Sequence, residues 1–149
     1  MILTRPDGFS LIELMIVVGL VAVLAGMTVP AISGAMTRYS LTSASQQVVS
    51  TIRSARVQAV GKNRIVEVRF DYPAAGQYQV VAPDDTAIGP VMELPQGAVF
   101  GAVSADVEFT TAGRLNAGVA PPVTIVVSNG DETQDRTISV TSSGRVQLP

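Results

Sequence analysis

The first part of the chain is almost continuously apolar. From Phe9 to Val29 it reads FSLIELMIVVGLVAVLAGMTV, with Glu13 as its only ionisable residue. As a helix this run spans about 32 Å, close to the thickness of about 30 Å of a bilayer's hydrocarbon core. We therefore predict a transmembrane helix over residues 9–32. A buried core helix is the alternative, but a chain of 149 residues is too small to surround this run on all sides.

A cleaved secretory signal peptide is a second interpretation of the same run. Arg5 would then be its basic region, and the peptidase would cut after Ala25. Asp7 and Glu13 argue against it, because the corresponding part of such a signal is basic or neutral. The stretch before Ala25 is also apolar where signal peptides become polar. We favour an uncleaved membrane helix.

Glu13 is the informative residue of the apolar run. A carboxylate inside a hydrophobic span costs roughly 2.5–3.5 kcal/mol on insertion scales and is normally retained with a partner. The rest of its own span carries no other charge. We expect its partner to come from another chain or from a free N-terminal amine that cleavage creates nearby.

Pro30 stands at the end of the apolar run. A proline removes a backbone donor and clashes with the preceding helical turn, so Pro30 predicts either a kink or the end of the helix. Beyond it, apolar residues recur every three or four positions, which predicts an amphipathic helix over residues 33–61 with Gly61 as its C-terminal cap. The stripe consists of Leu41, Ala44, Val48, Ile52, Ala55 and Ala59. We expect it to pack on a sheet.

The remainder of the chain has the alternation of β-strands. Val66, Val68 and Phe70 alternate with polar residues, and turn-forming residues separate the later apolar segments. Further strands are predicted at Gln77–Ala82, Met92–Leu94, Ala98–Val103, Val107–Thr110, Val123–Ser128, Arg136–Thr141 and Arg145–Leu148. The fold class is therefore α+β, with a long helix packed on an antiparallel β domain over residues 65–149.

Composition argues against an enzyme. The chain has neither cysteine nor histidine, which removes the commonest metal ligands and the usual general base at neutral pH. Asp84 with Asp85, and Asp106 with Glu108, could be imagined as catalytic carboxylate pairs, but surface charge is the simpler interpretation. Asp131, Glu132 and Asp135 could offer oxygen ligands to calcium, but their spacing matches no EF-hand and acidic hairpin loops are common. We expect no metal and no cofactor.

The charges divide the chain into opposite halves. Residues 38–64 carry five cations and no acid, whereas residues 65–149 carry 10 acids and 4 bases, a net charge of −6. Solvated surface charge explains this adequately. Contacts between staggered copies are the alternative, and reversing Arg53 and Arg56 to Glu would test it.

The stretch from Gly8 to Leu14, GFSLIEL, resembles the prepilin peptidase site of type IV pilins and type II secretion pseudopilins. The resemblance implies that residues 1–8 are a leader, that the peptidase cuts between Gly8 and Phe9, and that it methylates the new Phe9 amine. It also implies that Glu13 pairs with the N-terminus of a neighbouring subunit during assembly. Pro30 matches a proline at which the family's long helix bends, so we assign it as a kink.

Three further segments resemble the GspH/FimT group of minor pilins and pseudopilins. They are IRSARVQA from Ile52, VEFTTAGR from Val107 and RTISVTSSGRV from Arg136. The resemblance implies a minor pseudopilin of the type II secretion pseudopilus that helps initiate or cap the filament. Its partners would be other pseudopilins or pilins in a hetero-oligomeric filament, the prepilin peptidase and inner-membrane lipid.

The same resemblance implies a location and an alternative function. The chain would cross the bacterial inner membrane once, with residues 33–149 as a pilin-like domain in the periplasm. The alternative is a FimT-like minor pilin of a type IV pilus with a role in DNA uptake, through a Gly-Arg-x-Arg segment. Here Gly144 and Arg145 match that segment but Gln147 replaces its second arginine, and the β domain is acidic. We therefore do not expect nucleic acid as a partner.

Overall fold

The computed structural model of the protein describes residues 8–130 and 134–148, without the side chains of residues 27–33. The predicted leader, apart from Gly8, thus lies outside the described residues. The chain divides into two compact units, Met1–Met36 and Thr37–Pro149. The elements within the described residues are α1 (Leu11–Gly61), β1 (Val66–Phe70), β2 (Gln77–Val81), β3 (Met92–Glu93), β4 (Val99–Val103), β5 (Val107–Phe109), β6 (Val123–Ser128), β7 (Asp135–Val140) and β8 (Val146–Gln147).

The first unit consists of the N-terminal part of α1. The N–H of Leu14 donates to the carbonyl of Ser10 at 3.1 Å and closes the first helical turn. The helix continues past Pro30 and ends at Gly61, so the proline does not terminate it. The kink at Pro30 stays a prediction. Among residues 8–130 and 134–148, no helix combines the length and the apolar character that crossing a membrane requires.

The C-terminal part of α1 belongs to the second unit and is amphipathic. All six residues of the predicted apolar stripe, from Leu41 to Ala59, are buried, which confirms the prediction. Two hydroxyls on the same face are buried as well. Ser45 donates to the carbonyl of Leu41 at 2.8 Å and Thr51 to that of Gln47 at 3.1 Å, so the helix backbone satisfies both.

The cap of α1 differs from the prediction. The left-handed residue is Asn63, with φ of 47°, and Gly61 does not have a positive φ. The N–H of Arg64 donates to the carbonyl of Ala59 at 3.1 Å, and that of Asn63 donates to Val60 at 3.3 Å. This pair of bonds is a Schellman motif. The assignment of Gly61 as the cap was wrong because asparagine also tolerates the left-handed conformation.

The strands form two antiparallel sheets, which we call sheet A and sheet B. Sheet A has the order β3-β2-β1-β5, and sheet B has the order β4-β6-β7-β8. In sheet A, Val68 lies opposite both Val80 and Val107. In sheet B, Ile125 lies opposite Ile138. These residues alternate with outward-facing ones along each strand and turn their side chains into one core.

Three aromatic rings fill the core where the two sheets approach each other. Phe100 packs edge to face against Phe70 and Tyr78, with ring centroids 5.4 and 5.9 Å apart. Tyr78 is fully buried, and its hydroxyl has no hydrogen bond within the described part of the chain. The neighbouring Thr51 hydroxyl has one proton, which lies within reach of the carbonyl of Gln47 at 3.1 Å and of Sδ of Met92 at 3.2 Å. Burial raises the pKa of Tyr78, and the Thr51 side chain offsets this only in part.

Candidate functional site

The predicted processing junction lies at the beginning of the described chain. Gly8 and Phe9 precede α1, and the side chain of Phe9 is 84% exposed. A methyl group placed on Gly8 would have no neighbouring atom within 4 Å. The peptide bond between the two residues is therefore outside the helix and open to a protease.

The first turns of α1 expose apolar side chains in every direction. Residues 8–26 are all exposed, among them Leu11, Ile16 and Leu24. Glu13 lies in the first turn of α1, where the helix dipole favours a negative charge. It forms no ion pair among the described residues. The structure thus places the three predicted residues Gly8, Phe9 and Glu13 together in one exposed segment.

A second cluster, which the sequence did not reveal, surrounds Arg56 in the second unit. Arg56 projects from α1, and its Nε–H donates to the carbonyl of Gly113 at 2.8 Å. Its Nη2 donates to the carbonyl of Ser143 at 3.2 Å. Gly113 follows β5 of sheet A, whereas Ser143 follows β7 of sheet B. One guanidinium therefore ties the helix to a loop from each sheet.

The two loops are copies of one turn, with the sequence Thr-x-x-Gly-Arg. In the first, Gly113 has φ of 71° and its N–H donates to the carbonyl of Thr110 at 2.8 Å. In the second, Gly144 has φ of 76° and its N–H donates to Thr141 at 2.8 Å. In both, the N–H of the arginine donates to the threonine hydroxyl at 3.3 Å. From the sequence we predicted only that turn-forming residues separate the strands here, and the likeness of the two turns is a finding of the structure.

We call these two turns, residues 110–114 and 141–145, the twin turns. They stack on each other so closely that glycine is required. A Cβ on Gly144 would lie 2.2 Å from the carbonyl oxygen of Gly113, and one on Gly113 would lie 2.8 Å from a methyl of Val60. The N–H of Leu115 also donates to the carbonyl of Ser142 at 3.2 Å. The sequence signal for these paired turns is the Thr-x-x-Gly-Arg pattern, which occurs twice, 31 residues apart.

Arg145, which would contact DNA in the alternative function, is exposed at the end of the second turn. Arg114 occupies the equivalent position of the first turn and is exposed too. Arg56, by contrast, is engaged inside its own chain. Reversing Arg53 and Arg56 together therefore does not isolate a contact between copies, because the change at Arg56 also removes the link to the twin turns.

Three of the four acidic residues that we considered as carboxylate pairs make local contacts of their own. Asp85 pairs with Arg69 at 2.6 Å, while the N–H of Thr86 donates to Asp84 and holds the pKa of that carboxyl below its ordinary value. Burial raises the pKa of Asp106, and the N–H of Phe70, 3.1 Å from its Oδ1, partly offsets this.

The calcium proposal cannot be placed on the structure. Asp131 and Glu132 lie outside the described residues. Within the described ranges, no group of three or more acidic side chains is arranged to hold a metal ion. Asp135 is exposed at the start of β7.

Comparison with known families decides the identity. A model of the family described as type II transport protein GspH matches residues 44–144, about two thirds of the chain. The chain belongs to the GspH family. A second model, the prokaryotic N-terminal methylation motif, matches residues 4–29 of this pseudopilin. It covers the junction of Gly8 and Phe9, together with Glu13. No curated protein matches the sequence significantly.

Solved structures show the same fold. The type IV minor pilin FimU of Pseudomonas aeruginosa is 20% identical, with a TM-score of 0.62 over 75% of this chain and 90% of that chain. The minor pseudopilin EpsH of Vibrio cholerae is 13% identical, with a TM-score of 0.52 over 70% of this chain and 91% of that chain. The α+β class and the type IV pilin-like fold predicted from the sequence are thus confirmed.

Family membership also fixes the coarse role of the chain. The GspH family consists of structural subunits that assemble with other pilin-like subunits, and this chain is a pseudopilin of that family. The methylation motif and the family indicate a membrane-anchored protein with an exposed domain.

Proposed function

We propose that this pseudopilin helps initiate or cap the pseudopilus of a type II secretion system and has no enzymatic role. Residues 9–32 cross the bacterial inner membrane once, and residues 33–149 lie in the periplasm. The prepilin peptidase removes residues 1–8 by cutting between Gly8 and Phe9, and the new amine of Phe9 is methylated.

The exposure of residues 8–26 carries this proposal. Burying a valine, leucine, isoleucine, phenylalanine or methionine side chain contributes about 1.5–3 kcal/mol, and this segment exposes twelve of them. They surround the helix on all sides, so one protein face cannot cover them. Lipid before assembly and neighbouring helices after assembly both satisfy this requirement.

Glu13 makes the filament more favourable than the lipid-embedded state for this segment. In lipid the carboxylate lacks a partner within the described chain, which costs roughly 2.5–3.5 kcal/mol. In a bundle of helices, the amine of Phe9 from a neighbouring subunit supplies the opposite charge. Pairing removes most of the cost of the isolated charge, so the subunit is more stable in the filament, in a single register.

The alternative, a FimT-like minor pilin that binds DNA, has less support. The fold is shared with both FimU and EpsH, so it does not distinguish a type IV pilus subunit from a type II secretion subunit. Arg145 is exposed, but Gln147 stands where the second arginine of the DNA-binding segment would be, and residues 65–149 carry a net charge of −6. Phosphate contacts need clustered cations, which favours the secretion role.

Mass analysis of the mature N-terminus tests the proposal. The full chain is expressed with the prepilin peptidase and recovered from membranes, and the expected N-terminal residue is methylated Phe9. Gly8→Val should leave the leader attached. Gly19→Val is the matched control, because a Cβ at either glycine has nothing within 4 Å, and it should be processed normally. A mature chain that begins at Gly26 would contradict the proposal and indicate a secreted protein.

A further inference from the structure

The twin turns bring three separate segments of the chain together on the surface. Arg56 ties the end of α1 to the loop after β5 and to the loop after β7. These segments belong to residues 38–64, 109–130 and 136–149, which contain eight of the ten basic residues and no aspartate or glutamate. The chain as a whole has a net charge of −2. The fold thus places basic segments without acids side by side on an acidic protein.

A patch of five exposed residues surrounds the place where the twin turns meet α1. We call it the twin-turn patch, and its members are Arg53, Val57, Val60, Arg114 and Arg145. Arg53, Val57 and Val60 follow one another at spacings of four and three residues, so they share one face of the helix. Val60 adjoins the first turn, because a Cβ on Gly113 would lie 2.8 Å from its methyl group. Arg114 and Arg145 occupy matching positions of the two stacked turns.

The three arginines of the patch have no acidic partner in the described part of the chain, residues 8–130 and 134–148. Both ion pairs found there are made by Arg69. The backbone N–H groups of Arg114 and Arg145 hold the turns and leave both guanidinium groups exposed. A guanidinium offers five N–H donors in a planar fork that fits a carboxylate. The patch therefore presents donors for acidic groups of another molecule.

The centre of the patch is apolar. Val57 is 70% exposed and Val60 is 52% exposed, and they are the exposed large hydrophobic residues of α1 between residues 40 and 61. An apolar centre with a polar rim is typical of protein–protein interfaces. Contacts with nucleic acid go mostly to phosphate and sugar, which gain little from two valines. The patch therefore matches a polypeptide better than a nucleic acid.

The remaining charge of the β domain favours a short partner segment. Residues 65–108 carry seven acids and one base, and they repel a long polyanion such as DNA. Charges are screened beyond about 8 Å at physiological salt, so a short acidic segment that covers the patch alone avoids most of this repulsion.

We propose that the twin-turn patch binds an acidic segment of a different pilin-like subunit. Aspartate or glutamate side chains of that segment pair with the three exposed arginines, and an apolar side chain packs on Val57 and Val60. The partner differs from this chain because a subunit that initiates or caps a filament is present in few copies, so this step rests on the proposed function. Complementary charge then selects which neighbour the subunit accepts.

Photo-cross-linking from the centre of the patch tests the proposal. Benzoylphenylalanine replaces Val57 in the full chain, which is produced in cells that contain the other pilin-like subunits of its secretion system. Irradiation should link the chain to one of those subunits, within a segment that mass analysis shows to carry more than one acidic residue. The same replacement at Val91 is the control, because Val91 is 45% exposed and lies outside the patch. It should give about tenfold less of that product, since only side chains in contact lie within about 4.5 Å of the partner.

Charge reversal distinguishes the proposed pairing from nonspecific contact. Arg114→Glu with Arg145→Glu should reduce the cross-linked product about tenfold or more, because like charges then face each other. Arg38→Glu with Arg136→Glu is the matched control, since both arginines are exposed and lie outside the patch. That control should leave the yield unchanged. Changing the linked acidic residues of the partner to lysine should restore the product of the reversed variant, which an unfolded chain could not do.

Four results would overturn the proposal. They are a link only to a second copy of this chain, a yield that Arg114→Glu with Arg145→Glu leaves intact, a reversed variant that the partner's lysines do not restore, and a patch that retards duplex DNA but links to no subunit. The same cells are analysed for a mature chain that begins at Phe9. Normal processing without the link would reject the patch and leave the proposed function standing, whereas a chain that keeps residues 1–8 would contradict the proposed function itself.

Discussion

Two stretches of the single helix α1 meet their surroundings in opposite ways. In residues 11–26 every side chain is exposed, although nearly all are apolar. In residues 41–59 all the large apolar residues except the exposed Val57 are buried, and most of them form one stripe packed against the two sheets. A helix whose apolar residues recur every three or four positions thus packs that face against its own chain. An apolar helix without this periodicity must bury its surface against lipid or another chain.

This contrast separates two kinds of mutational effect. Changes in the N-terminal stretch should alter assembly and leave the stability of the second unit unchanged. Changes around the twin turns should alter stability and leave membrane insertion unchanged.

Glu13→Gln should give the largest effect, on assembly alone. Removing the charge leaves the neighbouring amine without its partner, so we expect the fraction of subunit in filaments to fall about tenfold or more. The ratio of filament-bound to membrane-bound chain, measured by immunoblotting, checks this. Glu93→Gln is the control, since Glu93 is an exposed carboxylate on β3. Equal incorporation of the Glu13 and Glu93 variants would contradict the pairing mechanism.

Gly144→Ala should destabilise the second unit strongly, by about 3–5 kcal/mol, because its Cβ would meet the carbonyl of Gly113. Gly76→Ala is a matched control, since its φ of 75° is nearly the same as the 76° of Gly144, but its Cβ would meet nothing within 4 Å. The control should cost about 1–2 kcal/mol from backbone strain alone. Pulse proteolysis in urea, on the full chain in detergent, measures both.

Arg56→Met should lower the free energy of unfolding by about 2–3 kcal/mol, because two carbonyls of the twin turns lose their charged donor. Arg53→Met, one helical turn earlier at an exposed position, should change it by less than about 0.5 kcal/mol. The same proteolysis assay applies. Equal losses from both arginines would show that general helix packing, not the link to the turns, is responsible.

Tyr78→Phe should give the smallest change, a gain of about 1 kcal/mol. The phenol hydroxyl is buried without a hydrogen bond in the described chain, so removing it eliminates a desolvation cost without losing a contact. Tyr72→Phe, where Arg69 stacks 5.4 Å from the centre of a partly exposed ring, should be neutral. A loss of stability in Tyr78→Phe would reveal a partner for the hydroxyl.

Much of the fold could be predicted from the sequence because it depends on local periodicity. The buried stripe of α1 and the bounds of β6 were predicted residue by residue. The end of α1 was not, because glycine and asparagine compete for the left-handed position and only the hydrogen bonds distinguish Gly61 from Asn63. The division of the strands into two sheets was also missed, since strand order depends on long-range pairing.

The residues of the candidate site also differ in whether the sequence could predict them. Gly8, Phe9 and Glu13 are recognisable because they are close in sequence and surrounded by apolar residues. Arg56 could not be assigned, because its partners Gly113 and Ser143 are 57 and 87 residues away. An arginine on a helix normally indicates a solvated surface, and nothing local separates Arg56 from Arg53.

The link at Arg56 also has a mechanical consequence. A subunit that leaves a membrane is pulled through its helix, and the load passes from α1 into the domain it carries. At Arg56 that load is shared between a loop of sheet A and a loop of sheet B. Neither sheet then has to bear the force alone, and the two sheets are drawn along together as one body.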